Sequence, residues 1–219
     1  MQHFMRVSMY SGFAKIAREH FGNASSCQEK LAPLAEKLVT LTGDDAGAFR
    51  FKFVSPIEDE ISHHCLITVV FCALAVEGYI YDYAARNLSD SFVESHLDKL
   101  DVISKWMVIP KLVIGKDFPK DTRGFQLLRQ LVTNRNFIAH NKSAPVVVFD
   151  ERADDLIFSG AARKIHEFDS TLLEKAKDAI SVLDELALIM EDLDPDEITS
   201  FDFSAPVGKK KKQLEEYGF

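Results

Sequence analysis

The chain is predicted to be mainly α, an up-and-down helical bundle with a small β-hairpin or three-stranded appendage. Three observations predict this. Apolar residues recur at helical spacing through most of the chain. The longest such stretch, after Pro56, is apolar around so much of its circumference that it reads as the centre of a bundle. Short β-patterned runs occur only at 48–54 and 146–158.

Taken in order, residues 3–21 predict a helix with Phe4, Val7, Phe13, Ile16 and Ala17 on one side, ended by Gly22-Asn23. A second helix is expected from about Ser26 to Leu41, stopping at Gly43. Pro33 within it implies a late start or a kink. Ala48 to Val54 alternates apolar and basic residues, a strand pattern. Pro56 then opens the long helix, with Glu58, Asp59 and Glu60 suiting its N-terminal dipole. Ile61, Cys65, Thr68, Cys72, Ala75 and Tyr79 mark its buried face, and it is expected to end near Asn87.

Ser91 with Glu94 predicts a capping box for the next helix, which Pro110 stops or kinks. Val102, Ile103, Trp106 and Met107 form its buried side. Gly115 to Pro119 reads as a loop. A helix follows over about Asp121 to His140, with Phe125, Leu128, Leu131, Val132 and Ile138 inward. Val146-Val147-Val148-Phe149 and Leu156-Ile157-Phe158, separated by a polar loop, predict a hairpin with which the strand near 49–54 could pair. The last helix spans about Leu172 to Leu193. Leu172, Ala176, Ala179, Leu183, Leu186, Met190 and Leu193 make a seven-residue apolar repeat, compatible with core packing or with a dimer seam.

This divides the chain into N-terminal helices and a short strand (1–57), a helical domain with a hairpin insertion at about 145–160 (58–193), and a C-terminal tail (194–219). The tail carries the lysine run Lys209 to Lys212, read as a solvated segment or a nucleic-acid contact.

Composition narrows the function. Hydrophobic residues are 47% of 219 and charged residues 27%, which is ordinary for a globular chain. A net charge of −8 argues against whole-surface binding of nucleic acid, so a phosphate contact would need a local basic patch. Cys27, Cys65 and Cys72 lack metal-ligand spacing and read as buried thiols in a reducing compartment. The apolar run from Leu66 to Val76 is too short to span a bilayer, and a cytoplasmic protein without membrane association is expected. No metal or organic cofactor is implied. His63 and His64 are adjacent on one helix and make a poor metal pair, and His3, His20, His96 and His166 have no neighbouring partner in sequence. Asp82 and Arg86 are spaced for a helix-surface ion pair.

The segment that carries chemistry is Arg135-Asn136-Phe137-Ile138-Ala139-His140. Cleavage of RNA by its own 2′-hydroxyl requires one proton to leave, another to arrive, and extra negative charge to be held on phosphorus. An imidazole titrates near neutrality and can perform either proton transfer. A guanidinium is always charged and offers a fork of donors to phosphate oxygens. On a regular helix, positions 135 and 140 point about 140° apart. They converge on one phosphate only if the helix ends or unwinds there, or if two copies of the motif meet across a two-fold axis. Simple capping of a helix C-terminus by Arg135 and His140, with Asn141 as the terminal residue, is the structural alternative.

This hexapeptide resembles the signature of the HEPN superfamily: an arginine, a polar residue directly after it, and a histidine shortly beyond. The resemblance covers about residues 58–192. It implies a four- or five-helix up-and-down core, a homodimer with facing motifs, and metal-independent endoribonuclease activity, often in toxin–antitoxin or other defence settings. It implies Arg135 and His140 as catalytic residues with Asn136 as the polar neighbour. Glu77 on the long helix and Asn141 stand as possible supports. The partners it implies are RNA, a second copy of the chain, and an antitoxin or regulatory protein. HEPN-like domains without activity also exist, so the alternative is an inactive module that binds a protein or a nucleotide.

Overall fold

The computed structural model describes residues 9–140 and 160–195. The helices are α1 (Tyr10–Val39), α2 (Gly43–Phe49), α3 (Ser55–Leu88), α4 (Asp90–Phe92), α5 (Val102–Ile114), α6 (Arg123–His140), α7 (Gly160–Ser170) and α8 (Leu172–Leu193). Single π-helical turns at Arg50–Val54 and Val93–Leu97 join neighbouring pieces. Among the described residues there is no strand. The hairpin expected at 145–160, Asn141 and the lysine tail lie outside the described residues.

The central helix is α3. It packs most extensively on α1, then on α8, α6 and α5. Its buried residues include Cys65, Thr68, Val69, Cys72, Val76, Tyr79, Ile80 and Tyr83. Tyr79 stacks on Tyr83 and on Trp106 of α5, with ring centroids 6.2 and 5.8 Å apart. α8 also packs along α3 and touches α1 directly. All seven residues of its apolar repeat are buried within the chain, so the repeat is used for core packing. Arg18 on α1 pairs with Asp184 on α8 at 2.5 Å, an exposed tie across the two helices that flank α3.

Three expectations are corrected. The N-terminal helices are one helix of 30 residues that passes through Gly22-Asn23 and Pro33. The local cost of glycine, about 1 kcal/mol, is offset by burial of Ala14, Ala17, Ala24 and Cys27 in the core that includes α3. The alternating segment 48–54 is helical. Phe49 and Phe53, four apart, bring their rings to 5.0 Å, Lys37 sits over Phe49, and only Val54 is buried. A short period-two run with no neighbouring strand follows the helix that begins at Gly43.

The turn after α3 is capped by Ser89, not Ser91. Ser89 has φ 87°, and its hydroxyl accepts from the Phe92 amide at 3.4 Å. Asp101 caps α5 by accepting from the Ser104 amide at 3.0 Å, which together with the Ser104 hydroxyl holds its carboxyl below the usual range. Pro110 is accommodated inside α5, which ends at Gly115 with φ 72°. The nearly continuous helix Gly43–Leu88 contains a window long and apolar enough to cross a membrane by length and composition. The core helix of a soluble protein passes the same test, and 50% of that window is buried inside the fold.

α6 is held close to α8 by Gly124. A Cβ there would meet Ile189 Cδ1 at 2.7 Å and Glu185 Cβ at 3.2 Å. Gly124→Val is expected to wedge the two helices apart and cost about 1–3 kcal/mol, read as a lower urea midpoint. An unchanged or raised midpoint would contradict this close approach.

One histidine without a sequence neighbour, His20, finds a partner in space. His20 Nδ1 of α1 and His64 Nδ1 of α3 lie 2.8 Å apart, so one donates while the other accepts. Burial, then the charges of His20 and His63, lower the proton affinity of His64 below its usual value of 6.5. The unfolded chain therefore takes up a proton at His64 that the folded chain resists. Stability is expected to be intact above about pH 6.5 and to fall as the pH drops below it. His64→Gln should flatten this acid limb in denaturation curves collected between pH 7 and 5. An equally steep limb in that variant would place the acid sensitivity elsewhere.

Candidate functional site

The site forms where the middle of α3 meets α5 and the second half of α6. Glu77 projects from α3 at the edge of its buried face. α6 delivers Arg135 to it: Leu128 and Leu131 anchor one side of α6 in the core, and the turn after them brings position 135 round to α3. Arg135 Nη2 donates to Glu77 Oε2 at 3.0 Å, and Nη1 donates to Asn136 Oδ1 at 3.2 Å. The acid on the long helix and the arginine of the motif, 58 positions apart in sequence, are direct partners.

The second oxygen of Glu77 faces a residue that sequence reading missed. Lys105 of α5 is buried, with its ammonium 3.7 Å from Glu77 Oε1 and 3.9 Å from Asp98 Oδ1. A signal for it was present. Lys105 falls between Val102 and Trp106, on the apolar side of α5, where a lysine has no reason to be unless a carboxylate meets it. Glu77 thus lies between a buried ammonium and a half-exposed guanidinium. The two contacts differ in energy. The Arg135–Glu77 pair has about a third of each side chain in solvent and contributes less than about 1 kcal/mol. The buried ammonium depends on a carboxylate to offset its desolvation.

His140 is the last described residue of α6 and is exposed, as is Asn136. The helix is regular from Arg135 to His140. The unwinding that would converge the two side chains does not occur within this span, and they leave the axis about 140° apart. One copy of the chain therefore presents a guanidinium fixed by Glu77 on one side of α6 and an imidazole on another. Asp82 and Arg86, expected as a surface pair, are joined at 2.9 Å, but Asp82 is buried. The thiols of Cys27, Cys65 and Cys72 are all free and buried. Desolvation raises the proton affinity of each, Cys65 to about 11, which keeps them protonated and unreactive. Among the described residues no cluster of three or more His, Cys, Asp or Glu side chains has the arrangement of a metal site.

In comparisons with family models, curated proteins and solved structures, the chain matches none.

The arrangement predicts unequal effects of removing its members. Glu77→Gln leaves the Lys105 ammonium buried with only the more distant, exposed Asp98, and is expected to cost about 1–3 kcal/mol. Arg135→Ala should cost under about 1 kcal/mol. Urea unfolding of the two variants measures both, and a larger loss for Arg135→Ala would contradict the role given to Lys105.

Proposed function

We propose that this protein is a metal-independent endoribonuclease of the HEPN type, acting as a homodimer, of the kind found in toxin–antitoxin and defence settings. The observation that carries the reading is the Arg135–Glu77 pair beside Asn136 and the exposed His140. A guanidinium held in one orientation by a carboxylate is ready to meet a phosphate with its remaining N–H groups. An exposed imidazole near the end of the same helix has access to a hydroxyl proton or to a leaving oxygen.

In this mechanism the ribose 2′-oxygen attacks the adjacent phosphorus. Its proton passes to a base, the P–O5′ bond breaks, and the 5′-oxygen receives a proton. His140 performs one of these transfers. Arg135 neutralises the charge that builds on the non-bridging oxygens, and Asn136 orients the strand or the partner copy's motif. The products are a 2′,3′-cyclic phosphate and a 5′-hydroxyl.

The 140° divergence of Arg135 and His140 favours a site shared by two copies, in which the arginine of one works with the histidine of the other. Apolar surface beside Glu77 supports an association at this face. Leu74 and Tyr81, three positions before and four after Glu77 on α3, are respectively exposed and half-buried.

A second reading, an inactive module of the same fold, draws on the same pair, since a guanidinium committed to Glu77 has a structural use without catalysis. Incubation of RNA with wild type, Arg135→Ala and His140→Ala in EDTA separates the two. The catalytic reading predicts cyclic-phosphate ends from wild type and at least a 100-fold loss in each folded variant. Equal cleavage by all three, or none by folded wild type, would sink it.

A further inference from the structure

α6 has a second polar face, turned to solvent. Gln126, Arg129, Thr133, Asn136 and His140 follow one another at spacings of three and four, so they form one exposed stripe along the helix. This stripe is centred about 140° from the position of Arg135 and covers about 21 Å from end to end. Its first half is the wall of a groove of about 830 Å³. Thr171, Lys175 and Asp178 at the start of α8 line the opposite wall, and Lys120 also borders it.

The chemistry of this groove is distinctive for a chain of net charge −8. Its lining includes three cations, Lys120, Arg129 and Lys175, against the carboxylates Glu174 and Asp178. The other lining groups are amides and hydroxyls, with Phe125 as the apolar exception. Lys175 is fixed in place, with its ammonium over the Phe168 ring at 5.0 Å and bonded to the Thr171 hydroxyl. Phe168 in turn stacks on Phe137 of α6, with centroids 4.4 Å apart, tying this wall to the helix that ends at His140. Separated cations with amide donors and acceptors between them suit a chain of phosphates carrying exposed base edges. They do not suit an apolar small molecule.

We infer that this groove is the track for the substrate strand: single-stranded RNA lies along the outer face of α6, with its phosphates on Arg129, Lys120 and Lys175, and runs toward Asn136 and His140. The inference rests on the ribonuclease reading and adds to it where the strand binds. It also assigns Arg129 and Lys120 as affinity residues outside the catalytic set. Their contacts are to phosphate, so they give grip without base preference.

The test uses the full chain and a fluorescent single-stranded 2′-O-methyl RNA of about twelve nucleotides, which lacks the attacking hydroxyl and cannot be cleaved. Binding is followed by anisotropy over a range of salt for wild type, Arg129→Gln, Lys120→Gln and the double variant. Both positions are exposed, so folding is expected to be intact, and circular dichroism verifies it. Each single change should weaken binding about three- to tenfold and reduce the slope of log affinity against log salt by roughly 0.7 per lost phosphate contact. The double variant should lose more on both measures. On cleavable RNA the same variants should raise KM while leaving kcat near that of wild type. If wild type binds and cleaves while the double variant retains its affinity and salt slope, the groove is not the track and the ribonuclease reading stands. If folded wild type neither binds the oligonucleotide at low salt nor cleaves RNA, both fall together.

Discussion

The carboxylate of Glu77 is the contact on which the arrangement of this site depends. It sits on the most buried helix of the fold and faces two cations delivered by different helices, Lys105 from α5 and Arg135 from α6. Three helices therefore share one charge balance. A buried ammonium is tolerable only while a carboxylate is near it, so α5 stays docked where Glu77 can reach it. A guanidinium with one N–H group committed to that carboxylate has few orientations left, so the direction of Arg135 follows from the position of α3. The rest of the core, with α1 and α8 both packed on α3, holds that position. The close approach of α6 to α8 at Gly124 sets the path along which Arg135 arrives.

The same geometry separates two tasks along α6. One side of the helix turns Arg135 inward to Glu77. Another side carries Arg129, Thr133, Asn136 and His140 outward. On a straight helix these directions cannot meet at one phosphate. This divergence is a constraint on any mechanism that uses both residues. It requires either that the chain beyond the regular helix redirect the imidazole or that a second copy bring its own arginine to the histidine. The second solution also uses the apolar residues that flank Glu77 on the outer side of α3. It is the arrangement under which the proposed chemistry needs no departure from the helix as it stands.

Elements with strong, unbroken periodicity could be read from the sequence. α8 was legible nearly residue by residue, because its seven-residue repeat is also its buried face. α3 and α6 were legible in position and in buried side, since broad apolar faces dominate their local signals. Where local signals were weak or mixed, tertiary burial decided. Gly22-Asn23 read as a break, yet Ala17, Ala24 and Cys27 on either side of it pack into the core and the helix continues, running on through Pro33. The alternating aromatics at 49–53 read as a strand because a run so short fits both periods. The motif residues Arg135, Asn136 and His140 were legible as chemistry but not as geometry. Arg135 and Glu77 were each picked out from the sequence, while the contact between them depends on how α3 and α6 pack. Lys105 and the His20–His64 pair were missed for the same reason, since each is defined by a partner on another helix.

Mixing two inactive variants shows whether two copies of the chain share a site. In a dimer whose sites each take an arginine from one chain and a histidine from the other, an Arg135→Ala chain retains the histidine that an His140→Ala chain lacks. A mixed dimer would then hold one complete site. Unfolding and refolding the two variants together is expected to restore part of the wild-type RNA cleavage, with cyclic-phosphate ends, though neither variant cleaves alone. A co-refolded mixture as inactive as its components, beside an active wild type treated identically, would contradict the shared site.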